Sequence, residues 1–158
     1  VDIEPDNVLS CLKKKVNIIQ ADLSAGLTDF GDGSFDYVIM TQALQALQYP
    51  HRILAEMQRV GRQSIVTFPN FGFWKHRIHL MLKGQMPVSK ALPAQWYDTQ
   101  NIHLCTIKDF EEFCSERAMV ISKKDIMNYE HRSGLLLRAW PNLLGAVALY
   151  QLNAQDLG

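Results

Sequence analysis

Residues 35–68 read FDYVIMTQALQALQYPHRILAEMQRVGRQSIVTF, and this stretch decides the fold. Tyr37, Val38, Ile39 and Met40 follow Asp36 without a polar break, which predicts a strand covered on both faces, as in a parallel sheet. From Pro50 the period changes. Ile53, Leu54, Met57 and Val60 recur at helical spacing, Pro50 suits a first helical turn, and Gly61 stands just past the end. Ser64 to Phe68 is apolar again and predicts a second short buried strand. Strand, helix, strand is the grammar of a right-handed parallel crossover, and so of an α/β fold.

Upstream the same grammar continues. VNIIQADL (16–23) predicts a strand from Val16 to Gln20 ending at Asp22, and GDGS (31–34) is turn chemistry. PDNVLSCLKKK (5–15) predicts a helix with Asp6 as its N-cap, Val8, Leu9 and Leu12 on one face, and three lysines at its C-terminal end. VDIE (1–4) reads as the tail of a parallel strand, so at least one earlier strand and helix are expected before Val1.

Downstream, NFGFWKHRIHLMLKG (70–84) predicts a helix with Phe71, Trp74, Ile78, Met81 and Leu82 on one broad face. Residues 84–105 carry Pro87, Pro93 and the pair Trp96 and Tyr97, and a stretch this long without regular structure reads as a functional loop or lid. Thr106 followed by Asp109 resembles a capping box opening a helix with Phe110, Phe113 and Cys114 inward. MVISKKDIMNY (119–129) and GAVALYQL (145–152) predict two further strands.

The totals bound the function. A 158-residue chain with 47% hydrophobic and 20% charged residues is globular in composition, and its zero net charge gives no nucleic-acid footprint. Cys11, Cys105 and Cys114 lack metal spacing and fit reduced thiols of a cytoplasmic protein. No apolar run approaches the roughly 18 residues of a membrane span. His76 and His79 lie three apart on a helix without a third ligand at suitable spacing, so surface histidines are expected and no metal. The basic, amphipathic WKHRIHLMLKG (74–84) reads as a helix covering the sheet.

Acids at strand ends carry the chemical signal. Ligands of open parallel sheets bind outside the carboxyl ends of the strands. Asp2 and Asp22 stand at such ends, where one carboxylate can accept both hydroxyls of a ribose and the other an adenine amino group. The competing reading makes them helix caps or loop acids.

VDIEPDNV, VNIIQADL, GSFDYVIMTQALQAL, FPNFGFW (68–74) and QWYDTQNIHLCTIKDFEEFC (95–114) together resemble the MetW family of methionine biosynthesis proteins, within the class I S-adenosylmethionine-dependent methyltransferases. The likeness runs through nearly the whole chain, read as one methyltransferase-like domain (1–158) that is N-terminally incomplete. It implies a Rossmann-like, mostly parallel sheet with a C-terminal antiparallel strand, here without the first strand and its glycine-rich loop. Carried over by position, it implies Asp2 on the ribose hydroxyls with Ile3 against the adenine. Asp22 would take the adenine amino group beside Leu23, with Thr41 and Gln42 near the methionine part. Asn70, Trp96, Tyr97, Asp98 and His103 are candidates for an acceptor pocket. Their alternative is a packed lid, with both aromatics in the core and His103 bonded to backbone.

Three functions compete. The first is methylation of a small molecule with S-adenosylmethionine, leaving S-adenosylhomocysteine. The second, implied by the resemblance, is a methionine-pathway role beside homoserine O-acyltransferase. The third is a nicotinamide-dependent oxidoreductase, the weakest, because the C-terminal strand pair and lid motif match methyltransferases. A sulfonium is already activated, so alignment and desolvation supply much of the catalysis, and a base matters only if the acceptor loses a proton. The Asn/Asp-Pro-Pro-aromatic signature of amino-methyltransferases is absent: MTQALQ (40–45) stands in its place. That absence favours the second function.

Overall fold

The computed structural model of the chain describes residues 1–89, 92–99, 102–129 and 134–153. Strand β1 (Phe35–Thr41), helix α2 (Pro50–Val60) and strand β2 (Gly61–Pro69) form the crossover, with α1 (Pro5–Lys13) before it. β1 pairs parallel to β2 from Phe35 opposite Gly61 to Thr41 opposite Thr67. Ile53, Leu54, Met57 and Val60 of α2 are all buried, as their spacing requires, in one core with Val66, Phe68 and Met40. Gly61 stands just past the helix end, as expected; it is extended (φ −114°), and β2 starts at once. Its lack of a side chain matters for another reason: a Cβ there would lie 2.6 Å from Val38 Cγ2.

The C-terminal half completes the sheet. Helix α4 (Ile107–Glu116) begins with the expected capping box, Thr106 Oγ1 accepting from the Asp109 N–H and the Asp109 carboxylate from the Thr106 N–H. Strands β3 (Val120–Met127) and β4 (Val147–Asn153) follow, and the sheet order is β1-β2-β4-β3. β4 runs antiparallel to both neighbours, so β1, β2 and β3 point one way and β4 alone is reversed. Phe68, Phe110 and Tyr150 stack at the centre, with ring centroids 4.8–5.9 Å apart. Two short helices, α5 (Leu135–Ala139) and α6 (Pro141–Leu144), lie in the link between β3 and β4.

Four expectations are corrected. Val16 to Gln20 is not a strand: its backbone meets the chain start at a single parallel bridge between Asp2 and Gln20, with Asp2 N–H to Ile19 O and Ala21 N–H to Asp2 O each 3.2 Å, and Gln20 Nε2 donates to Ile3 O at 3.2 Å. β1 is covered on one face only: Met40 is buried, while Tyr37 and Ile39 on the other face are 56% and 62% exposed, because no described element packs over them. Helix α1 starts at Pro5 with Glu4 at the N-cap, Asp6 falls in the first turn, and none of its residues is buried. Leu9 and Leu12 face outward because no described element packs on that side.

The fourth concerns α3 (Trp74–Lys83), whose apolar stripe points away from the core: Met81 and Leu82 are 75% and 74% exposed. Its one buried residue is His76. The ring stacks on Phe71, meets Phe73 edge-on, and places Nε2 3.0 Å from Ser89 Oγ and 3.1 Å from Tyr129 Oη. Only the first turn is fastened, so the polar ring takes the inward position and the later apolar residues have nothing to pack on. Gly84 ends the helix in the left-handed region (φ +61°), its N–H donating to Leu80 O.

Candidate functional site

Asp2, Ile3, Asp22 and Leu23 come together in a cleft of about 520 Å³. Its other walls include Glu4 and Asn7 from the start of α1, and Ala43, Ala46 and Leu47 from the single-turn 3-10 helix (Leu44–Ala46) and its flanks after β1. The cleft therefore opens at the carboxyl end of the parallel strands, where α/β sheets bind ligands. The chain reaches this place through two local devices. The Asp2–Gln20 bridge brings residues 1–3 beside residues 20–23, and Gln42 turns the chain out of β1 at φ +53°. Its N–H is held by Thr67 O at 2.9 Å and Thr67 Oγ1 at 3.2 Å.

Three carboxylates, Asp2, Glu4 and Asp22, line the cleft, and no lysine or arginine does among the described residues. Asp2 Oδ1 accepts from the Glu4 N–H at 2.9 Å and Oδ2 from Asn7 Nδ2 at 3.0 Å. The Glu4 N–H is the main reason this carboxyl is held below the usual range, so it stays ionised. Each oxygen keeps a lone pair for a further donor. Ile3, Leu23, Ala43 and Leu47 supply apolar wall. An acid-rich cleft lined by no lysine or arginine suits hydroxyls, amino groups and a positively charged ligand.

The remaining sequence candidates lie elsewhere. Thr41 and Gln42 sit just before the cleft wall, and neither lines it. Asn70 is fully buried with all its capacity in use: Nδ2 donates to Asn142 O (3.1 Å) and Gly145 O (2.7 Å), and Oδ1 accepts from Gly72 N–H (2.9 Å) and Ile107 N–H (3.3 Å). It ties together three segments, residues 70–72, the start of α4 and residues 142–145, and is closed to any acceptor molecule. Trp96 and Tyr97 are each 72% exposed and touch edge to face, outside both the core and the cleft. Asp98 is also exposed. His103 is held to backbone at both ends, its N–H on Gln45 O (3.0 Å) and Nε2 3.3 Å from Gln48 O.

His103 lines a second, mostly apolar pocket of about 240 Å³ with Leu44, Gln45, Leu54, Phe110 and Phe113. Sequence reasoning missed Glu4, Asn7 and Gln45. Glu4 and Asn7 were legible as polar positions flanking a proline helix start; Gln45 looked like one of several glutamines. His76, expected at the surface, is buried instead, and no group of three or more His, Cys, Asp or Glu among the described residues is placed to hold an ion. No helix among them is long and apolar enough to cross a membrane.

Comparison with known proteins gives the frame. The family model described as methionine biosynthesis protein MetW matches residues 1–152. The bifunctional methionine biosynthesis protein MetXA/MetW of Rhodopirellula baltica is 34% identical over 157 residues, covering 99% of this chain and 25% of that protein. The chain thus spans about a quarter of the length of this curated relative. A S-adenosylmethionine-dependent methyltransferase of Thermotoga maritima, described as a possible histamine N-methyltransferase, superposes with a TM-score of 0.65 at 12% identity, over 97% of this chain and 70% of that one. One from Archaeoglobus fulgidus gives 0.63 at 11%, over 96% and 73%. The [4+2]-cyclase SpnF gives 0.59 at 14%, over 96% and 64%. The fold is that of the class I methyltransferases, and at these identities the structural likeness extends to the fold alone.

Proposed function

Because this chain belongs to the methionine biosynthesis protein MetW family, we propose that its acidic cleft binds S-adenosylmethionine and that the protein acts beside homoserine O-acyltransferase. The observation that carries the binding reading is the convergence of Asp2, Ile3, Asp22 and Leu23 on one acid-rich cleft. Asp2 accepts the two ribose hydroxyls on its spare lone pairs, and Ile3 and Leu23 cover the faces of the adenine. Asp22 accepts from the adenine amino group. Bound there, the cofactor would present an electrophilic methyl on sulfur, and the carboxylates around it offset its charge. The occurrence of MetXA and MetW in one bifunctional relative supports the acyltransferase as the partner.

Two measurements test this. Calorimetric titration of S-adenosylmethionine and S-adenosylhomocysteine into the protein is expected to saturate, and to weaken in Asp22→Ala. No saturation would remove the cofactor reading. Separately, homoserine acylation by the acyltransferase is expected to change when this protein is added, and to respond to the cofactor only in its presence. An unchanged rate would remove the partner reading and leave the cofactor reading standing.

A further inference from the structure

Helix α3 presents its apolar side to solvent. At about 100° per residue, Trp74, Ile78, Met81 and Leu82 fall on one face, and all four are exposed. His76, the buried residue of the helix, stands on the opposite side. Lys75 and Arg77 lie along the two edges of the apolar face, and Lys83 stands exposed at the last turn. No carboxylate among the described residues pairs with these three cations. Arg77 donates instead to the carbonyls of Gly72 and Asn142, and Lys75 Nζ lies 5.6 Å from the centre of the Trp74 ring.

The charge of this region is one-sided. From Met57 to Tyr97 the chain carries no Asp or Glu, although its net charge is zero. The α5–α6 link abuts the helix: Trp140 lines one pocket with Arg77, and Leu144 lines another with Trp74. The link adds the exposed Leu135, Leu136 and Trp140, and no acid lies between Leu135 and Asn153. Glu111 is the one described acid lining either pocket, and Lys124 and the Tyr150 hydroxyl already hold its carboxylate.

We propose that this face lies on the surface of an anionic lipid bilayer, with the apolar side chains at the acyl boundary and Lys75, Arg77 and Lys83 among the headgroups. A helix with apolar residues and a tryptophan on one side, and cations beside them, has the make-up of an interfacial helix. Its ten residues are too few to cross a bilayer, so it lies along the surface. Charge decides against the other occupants. A second copy of the chain would set cations against cations, with no acid to meet them. A protein partner is held by a rim of placed donors and acceptors. Here the rim is cationic alone, which complements a plane of phosphates. The inference does not depend on what the acidic cleft binds.

The test is co-sedimentation of the protein with vesicles of phosphatidylcholine, and with vesicles of phosphatidylcholine and phosphatidylglycerol in equal parts. Binding to the mixed vesicles is expected, with a blue shift of tryptophan emission, and far weaker binding to the neutral ones. Lys75→Gln should weaken binding to the mixed vesicles about fivefold and leave the neutral ones unaffected. Met81→Ser combined with Leu82→Ser should weaken it on the order of tenfold. Both side chains stand largely in solvent, so this variant keeps the wild-type circular dichroism and melting temperature. No sedimentation with the mixed vesicles, equal binding to both kinds, or undiminished binding by the double variant would each overturn the proposal. So would a dimer that the double variant splits, which would make the face a contact between two copies.

Discussion

Asn7 Nδ2 donates to Asp2 Oδ2 at 3.0 Å, so the first turn of α1 holds the carboxylate that faces the cleft. Asp2→Ala removes the acceptor itself and is expected to weaken S-adenosylmethionine binding on the order of tenfold to a hundredfold, as for hydrogen bonds to a charged group. Asn7→Ala leaves the carboxylate with one tie fewer and should cost about threefold. Calorimetry on the two variants reads the difference; equal losses would mean that Asp2 serves only to shape the turn.

Asn70 and Tyr150 are both fully buried polar side chains, yet they should respond very differently to truncation. Asn70→Ala strips partners from the Gly72 N–H and the Gly145 carbonyl, and is expected to cost about 3 kcal/mol. Tyr150→Phe removes one bond, from Tyr150 Oη to Glu111 Oε1 at 2.7 Å, while Lys124 stays on that carboxylate. Its cost is about 1 kcal/mol. Urea melts separate the two, and a larger loss in Tyr150→Phe would contradict the assignment of Asn70 as the main tie.

Glu56 anchors residues 27–33 to α2, accepting from the Leu27 N–H at 3.0 Å and from Arg59, which also reaches Asp32 and the Phe30 and Leu27 carbonyls. The Arg59 guanidinium is the main reason the Glu56 carboxyl is held below its ordinary 4.5. A depressed carboxyl stabilises the fold fully above the unfolded value, and that contribution fades as pH falls toward the folded one. Wild type should therefore exceed Glu56→Gln in stability at pH 7, and the gap should shrink below about pH 4.5. A gap independent of pH would show that the charge of Glu56 is not what matters.

Burial also lowers the His76 pKa from its ordinary 6.5, with the nearby His79 acting the same way and the Phe71 and Asn70 carbonyls opposing. The unfolded chain then takes up this proton first as pH drops, so stability declines as pH falls from above 6.5 through the folded value. His76→Gln keeps hydrogen-bonding groups without the titration. Its melting temperature should fall less than that of wild type between pH 7.5 and 5.5, and parallel declines would assign the acid sensitivity elsewhere.

The crossover was readable from its periods because α2 buries the stripe that its spacing displays. The capping box of α4 was readable because its donors and acceptors are three residues apart. Where reading failed, the deciding partner was distant. Val16 to Gln20 has strand composition, but its one backbone bridge is to Asp2, and one bridge does not make a ladder. The stripe of α3 is apolar by pattern and exposed in fact, since the bonds of His76 to Ser89 and Tyr129, from two remote segments, set the rotation of the helix. At the cleft, the acids at strand ends were legible as types, and their convergence on one cleft was not. Asn70 looked like a pocket residue because the sequence gives no hint of the carbonyls of Asn142 and Gly145 that saturate it.

The reversed strand β4 lies between β2 and β3 although it follows both in the chain. During synthesis β1 and β2 can pair early, whereas β3 has no place in the sheet until β4 emerges to join them. The middle ladder, which sets Gln63 opposite Asn153, must close a loop of most of the chain. Such long-range closure is slow and leaves apolar strands open meanwhile. A premature stop before Val147 would thus take out the seam of the sheet and not its margin, leaving two unjoined pieces.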